Sequence, residues 1–235
     1  MSDPRIRIKI CGLTRGDEAV ACLEAGADLI GLNFHSGSPR YVGVDQAEEI
    51  LTTVGRPDQV VGVFVDRSPA EVAVIARALG LTTIQLHGDE PPEDVVALAE
   101  YWIIRAFRLG TESDVSLMQR YLQRCQDLGR LPDAVLVDAS VSGHHGGTGT
   151  RIAPGILSLV PQLPRLVLAG GIQPANVAEL VVRHRPWMVD VASGVESSPG
   201  RKDLQKVSEL IRRVRNTWVR FESVDESVDK PEPRL

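Results

Sequence analysis

Along the chain, short runs of β-branched and other apolar residues alternate with segments whose apolar positions recur at three- and four-residue intervals. The runs are Arg5–Ile10, Asp28–Phe34, Gln59–Val65, Thr82–Leu86, Trp102–Phe107, Asp133–Val137, Arg165–Leu168 and Trp187–Val191. Between them, Gly16–Ala25, Pro69–Leu79, Glu93–Tyr101, Ser113–Asp127, Pro174–His184 and Leu204–Val219 read as amphipathic helices. Strands regularly followed by helices predict a parallel sheet, and eight repeats favour closure into a single (β/α)₈ barrel. An open doubly wound sheet is the structural alternative. Against it, the segment ICGLTRGDEA at the end of the first run has no GxGxxG spacing.

Alternation within the strands divides their side chains between two faces. In the first run, Ile6, Ile8 and Ile10 share one parity while Arg7, Lys9 and Cys11 share the other. In the fourth, Ile84 and Leu86 lie opposite Gln85 and His87. The interior of a barrel normally takes branched apolar residues, so polar groups on the inward parity point to the mouth, where barrel active sites are built.

The 235 residues fit one such barrel over residues 1–221. The last stretch, 222–235, is acidic, contains two prolines and has few apolar residues, and it reads as a disordered tail. With 43% hydrophobic and 24% charged residues, the remainder can bury a substantial core. A formal net charge of −5 and the lack of a basic cluster argue against a nucleic-acid partner. No stretch is long and apolar enough to span a bilayer, so no membrane association is expected. Three cysteines, Cys11, Cys22 and Cys125, lack disulfide or zinc spacing and fit a reducing cytoplasm. The sequence is compatible with a monomer or a homodimer.

Two glycine-bearing turns directly follow the last two strands, LAGGIQPANV at Leu168–Val177 and VASGVESSPG at Val191–Gly200. Glycine allows close backbone approach, exposed N–H groups at turns bind phosphate oxygens, and barrel enzymes often place phosphate at these two loops. A small phosphorylated substrate is therefore expected. Cys11 ends the first strand on the polar parity and is either a buried small hydrophobe or a base. The second role requires a lowered pKa, which Lys9 would promote if the two side chains converge. Asp138 ends the sixth run and is either a cap or a catalytic carboxylate. The loop Gly143–Gly149 has the composition of a lid or a passive connector. Its adjacent His144 and His145 lack the further ligands a metal needs, so no metal is expected.

Taken in order, KICGLT at Lys9–Thr14, SPRYV at Ser38–Val42, QLHGDE at Gln85–Glu90, LVDAS at Leu136–Ser140, GGTG at Gly146–Gly149, LAGGIQPANV, and DVASGVESSPGRKD at Asp190–Asp203 cover most of the chain. In these motifs the chain resembles the phosphoribosylanthranilate isomerase family of tryptophan biosynthesis. The resemblance implies a cofactor-free Amadori rearrangement of N-(5′-phosphoribosyl)anthranilate. It implies Asp138 as the general acid at the furanose ring oxygen and Cys11 as the general base at C2′. It also implies that Arg40 faces the anthranilate carboxylate, that His87 and Asp190 orient substrate, and that Gly170, Gly171, Ser193 and Gly194 hold phosphate. One departure stands out: the family continues after GGTG with a Phe-Asp-Trp segment, where this chain reads TRIAPG at Thr150–Gly155. Two other functions fit the same pattern less closely. One is a metal-assisted pentose-phosphate epimerase using His35, Asp66 or His87, and the other is a non-catalytic phosphosugar-binding barrel.

Overall fold

The computed structural model describes residues 5–138, 154–161, 163 and 165–225. Eight parallel strands close into a barrel in chain order: β1 (Arg7–Cys11), β2 (Leu29–Asn33), β3 (Val60–Phe64), β4 (Thr83–Leu86), β5 (Trp102–Arg108), β6 (Ala134–Asp138), β7 (Leu166–Ala169) and β8 (Met188–Val191). β8 pairs with β1 to complete the ring. The helices are α1 (Gly16–Glu24), α2 (Val44–Val54), α3 (Pro69–Ala78), α4 (Pro92–Ala97), α5 (Glu112–Asp127), α6 (Pro154–Leu159), α7 (Val177–His184) and α8 (Leu204–Asp225). Between β8 and α8 lies an antiparallel hairpin, β9 (Glu196–Ser198) with β10 (Arg201–Lys202), which the hydrophobic pattern does not announce.

Local chemistry sets where the helices begin. Ser68 and Glu71 form a reciprocal capping box at α3 with Pro69 in the first turn, and Thr111 and Asp114 do the same for α5. α7 starts at Val177, three residues later than the periodicity predicts. The cause is Asn176, whose side chain accepts from the Gln173 amide (2.9 Å) and donates to the Gly171 carbonyl (2.9 Å), folding Gly171–Asn176 into a turn. α4 stops at Ala97, short of the expected Tyr101. α8 runs to Asp225, past the boundary expected at residue 221, and residues 226–235 lie outside the described residues.

The two strand faces build two cores. Ile8, Ile10, Ile30, Leu32, Ile84, Leu86 and Ile103 are fully buried and join helix residues such as Ala19, Val72 and Val207 in the layer outside the barrel. Inside, Val61, Ile104, Ala106, Ala134, Leu136, Val167, Ala169 and Met188 form a separate apolar cluster. At its base Trp102 and Trp187 lie 5.7 Å apart, with the Arg7 guanidinium 5.0 Å over the Trp187 ring. The ladder register runs Lys9 beside Asp190, Cys11 beside Gly31, Val63 beside Gln85 and Arg108 beside Asp138. The polar parity is thus the interior, as the alternation predicts.

Candidate active site

One cavity at the C-terminal ends of the strands gathers the residues singled out in the sequence. Cys11, Arg40, His87, Asp138, Gly170, Gly171, Asp190, Ser193 and Gly194 all line it. Asn33, Gln85 and Arg108, to which no role was assigned, line it as well.

Beneath Cys11 the barrel is charged rather than apolar. Lys9 is completely buried, and its Nζ donates to both Asp190 oxygens at 3.0 and 3.1 Å. Gly31 makes room for this arrangement. A Cβ there would come within 2.8 Å of Cys11 Sγ and 3.2 Å of Lys9 Nζ, so both groups converge on the same point of the wall. Burial works against the Lys9 charge, but Asp190 and Cys11 together outweigh it and its pKa is raised. Cys11 departs from expectation. Lys9 does converge on it, yet enclosure by the barrel pushes the thiol up more than Lys9 and Lys202 pull it down, and Asp190 adds to the rise. The resting group is a thiol.

On the opposite wall, the Gln85 amide lies 2.7 Å from His87 Nδ1. With Gln85 Nε2 as the donor, Nδ1 accepts, and the neutral ring carries its proton on Nε2. That nitrogen is 3.8 Å from Asp138 Oδ2. Burial, reinforced by the nearby Arg108 charge, pushes the His87 pKa down to about 4, so the ring is neutral at pH 7. Arg108 ends β5 next to Asp138 in the ladder and donates to the His87 carbonyl at 3.1 Å.

The SPR turn is held by its own side chains. Asn33 Nδ2 donates to Ser38 Oγ (3.2 Å), and that oxygen accepts from the Arg40 amide (3.1 Å). Arg40 then extends over Gly12, whose φ of +77° suits glycine and where a Cβ would overlap Arg40 Cδ. Its guanidinium forms a two-bond pair with Glu196, Nε to Oε1 at 2.8 Å and Nη2 to Oε2 at 2.6 Å. Neither Glu196 nor its second partner, Lys202, was given a role from the sequence. The carboxylate that meets Arg40 lies 156 positions away, which no spacing rule reveals.

After β7, Gly170 and Gly171 adopt φ of +83° and +61°. After β8, Ser193–Val195 forms a single 3₁₀ turn, and a Cβ on Gly194 would overlap the Ile172 carbonyl oxygen. The two glycine turns therefore touch, backbone to backbone, on one wall of the cavity.

Asp66 does not line the cavity, and its Oδ1 accepts from the Asp89 amide at 2.6 Å. Among the described residues no three His, Cys, Asp or Glu side chains are grouped to hold a metal ion. The loop Gly143–Gly149 with His144 and His145, and most of the TRIAPG segment, lie outside the described residues. No helix among the described residues is long and apolar enough to cross a membrane.

Comparison with known proteins agrees with this geometry. Residues 8–213 match the family model described as N-(5′-phosphoribosyl)anthranilate (PRA) isomerase. N-(5′-phosphoribosyl)anthranilate isomerase from Thiobacillus denitrificans is 41% identical over 211 residues, covering 89% of this chain and 98% of that protein. The crystal structure of the phosphoribosyl anthranilate isomerase from Thermotoga maritima superposes with a TM-score of 0.79 at 32% identity, covering 90% of this chain and 99% of that one. A further isomerase structure, in complex with reduced 1-(o-carboxyphenylamino)-1-deoxyribulose 5-phosphate, is 31% identical with a TM-score of 0.75 and covers 90% of this chain and 99% of that one. The chain belongs to the N-(5′-phosphoribosyl)anthranilate isomerase family.

Proposed function

We propose that this protein catalyses the Amadori rearrangement of N-(5′-phosphoribosyl)anthranilate to 1-(2-carboxyphenylamino)-1-deoxyribulose 5-phosphate, a step of tryptophan biosynthesis. The observation that carries the reading is that Cys11 on β1 and Asp138 on β6 face one cavity whose β7 and β8 wall consists of two touching glycine turns. Backbone N–H groups at Gly170, Gly171, Ser193 and Gly194 take the phosphate. Arg40 faces the anthranilate carboxylate, and His87 and Asp190 orient the sugar and the catalytic groups.

Asp138 donates a proton to the ring oxygen. The C1′–O4′ bond breaks as the anilino nitrogen lone pair forms the C1′=N bond, giving an open-chain protonated Schiff base. Cys11 then takes the proton from C2′. The C–H electron pair becomes the C1′=C2′ bond and the C=N π pair returns to nitrogen, leaving a neutral enolamine. Tautomerisation puts a proton on C1′ and removes one from the C2′ hydroxyl, yielding the ketone. C1′ is reduced by as much as C2′ is oxidised, so the reaction balances without an external redox partner. The acid and base act at different atoms from different walls.

The raised thiol pKa fits this order of events. A thiol is a poor base at rest, but the cation created by ring opening lies beside it and favours the thiolate. Catalysis then needs Cys11 to release its proton to solvent in the cavity only once the Schiff base exists; the proton taken from C2′ restores the thiol, and Asp138, left as a carboxylate by ring opening, regains its proton from solvent at the rim. The three cysteines are all free, which supports a reducing cytoplasmic location.

The test is to supply freshly made phosphoribosylanthranilate and follow the loss of its fluorescence. The expected result is turnover well above the uncatalysed rate and unchanged by EDTA. No turnover while a phosphorylated analogue still binds would instead mark a phosphosugar-binding barrel, and loss with EDTA restored by a divalent ion would mark a metal-assisted enzyme.

A further inference from the structure

The β9–β10 hairpin supplies no group to the proposed chemistry, yet it buries a carboxylate and an ammonium. Glu196 is 8% exposed and Lys202 6%. Lys202 Nζ donates to Glu196 Oε1 at 2.8 Å, to the Cys11 carbonyl at 2.7 Å and to the Ala192 carbonyl at 3.2 Å. The other side of Glu196 is taken by Arg40. One ionic centre therefore touches the guanidinium of the SPR turn, the backbone of the proposed base and the backbone entering the β8 phosphate turn.

The arrangement is costly to bury and specific in direction. Burial raises the Glu196 pKa, but the Arg40 bond and the Lys202 charge outweigh it, and the net shift is downward. Buried ion pairs add little net stability compared with apolar packing, so they are better explained by the geometry they impose. Glu196 occupies the Nε and Nη2 edge of Arg40 and Gly12 closes the space behind its stem. Nη1 bonds no other described residue, and Arg40 lines the cavity.

We propose that Glu196 is a positioning residue for recognition of the ligand's carboxylate, holding Arg40 so that its Nη1 edge faces the cavity, with Lys202 tying that edge to Cys11 and the phosphate turn. The proposal rests on the isomerase reading above, because it takes the carboxylate to be that of an anthranilate. Without Glu196, Arg40 loses the partner that fixes its plane and is left beside a second buried cation.

The experiment compares kcat and KM for phosphoribosylanthranilate and for phosphoribosylaniline, which lacks only the carboxylate, in wild type, Glu196→Gln and Glu196→Asp. Glu196→Gln is expected to raise KM for the anthranilate by about tenfold or more, as for loss of a fixed charged hydrogen bond, with a smaller change in kcat. Whatever Lys202 transmits to Cys11 and the phosphate turn falls on both substrates, so the loss with the aniline should be clearly the smaller, the preference for the carboxylate should fall, and Glu196→Asp should restore part of it. Equal losses on both substrates would mean that Glu196 is merely structural and would overturn the proposal. So would a preserved preference. If Glu196→Gln does not fold, the Arg40→Met and Arg40→Met/Glu196→Met proteins decide: the same low preference in both supports the proposal, and a further loss of preference in the double variant overturns it. Wild-type failure to convert the anthranilate would fell the isomerase reading and this inference with it, whereas wild-type conversion with an insensitive Glu196 fells this inference alone.

Discussion

The walls carrying Cys11 and Asp138 are built from opposite materials. Below and around Cys11 the barrel is a lattice of buried charges, Lys9 paired with Asp190, and Glu196 shared between Arg40 and Lys202. Below Asp138 it is apolar, with Ala106, Ala134, Leu136, Val167 and Ala169 filling the interior. Asp138 itself, at the rim, keeps 18% of its side chain exposed. A base that must stay protonated until a cation forms benefits from a mostly buried site whose neighbouring cations are already held by carboxylates. An acid at the ring oxygen needs a firm platform and access to protons. The base side depends on electrostatics, and the acid side on packing and solvent.

The contrast can be broken at either end, and the largest effects should come from the reacting groups. Cys11→Ser and Asp138→Asn are each expected to lower kcat by at least about 10²-fold with little change in melting temperature. Near-wild-type turnover in steady-state kinetics would remove that residue from its role. Lys9→Met comes next, because it strands the Asp190 carboxylate in the barrel and should cost about 3–5 kcal/mol in urea unfolding. Lys9→Met/Asp190→Leu should recover much of that loss, and failure to do so would mean the pair is not the source of the cost.

Gly194→Ala should follow, since the added methyl pushes apart the two turns that meet at Ile172. KM is expected to rise about 10- to 100-fold, the scale of losing charged hydrogen bonds to phosphate, and the melting temperature to fall as well, because the methyl meets backbone rather than a flexible side chain. Product-inhibition constants rising in parallel would locate the damage at the phosphate, and unchanged constants would clear the turn of that role. The smallest effect concerns pH. His87 titrates near 4 in the fold against a reference value of 6.5, so the unfolded chain binds more protons between those values and stability falls as pH is lowered through that window. The contribution should be roughly 1–2 kcal/mol between pH 8 and pH 5. Denaturant midpoints for His87→Gln should show a correspondingly flatter pH dependence, and an unaltered slope would contradict the neutral buried ring.

The barrel is legible in the sequence because apolar runs and helical stretches alternate along most of the chain, with only α2 and α6 not singled out by periodicity, and because strand parity separates Ile8 and Ile10 from Lys9 and Cys11. Contacts between distant segments were not legible. Arg40 was recognised through SPRYV, but its partner Glu196 belongs to a hairpin too short to leave a pattern of its own. Arg108 carries no signal of its own, because the apolar run stops at Phe107, one residue before the strand reaches the rim. The direction of the Cys11 shift was also out of reach. Lys9 reads as a neighbouring cation, and only the fold shows that Asp190 holds it and that burial of the thiol outweighs the pull of Lys9 and Lys202.

The division of labour between the two walls is tested most directly by substrate deuterated at C2′, with turnover compared in wild type, Cys11→Ser and Asp138→Asn. If Cys11 removes that proton after Asp138 opens the ring, Cys11→Ser should show a primary isotope effect at least as large as wild type, and Asp138→Asn should show almost none because ring opening limits the rate. A large isotope effect in Asp138→Asn together with none in Cys11→Ser would contradict the assignment of base to one wall and acid to the other.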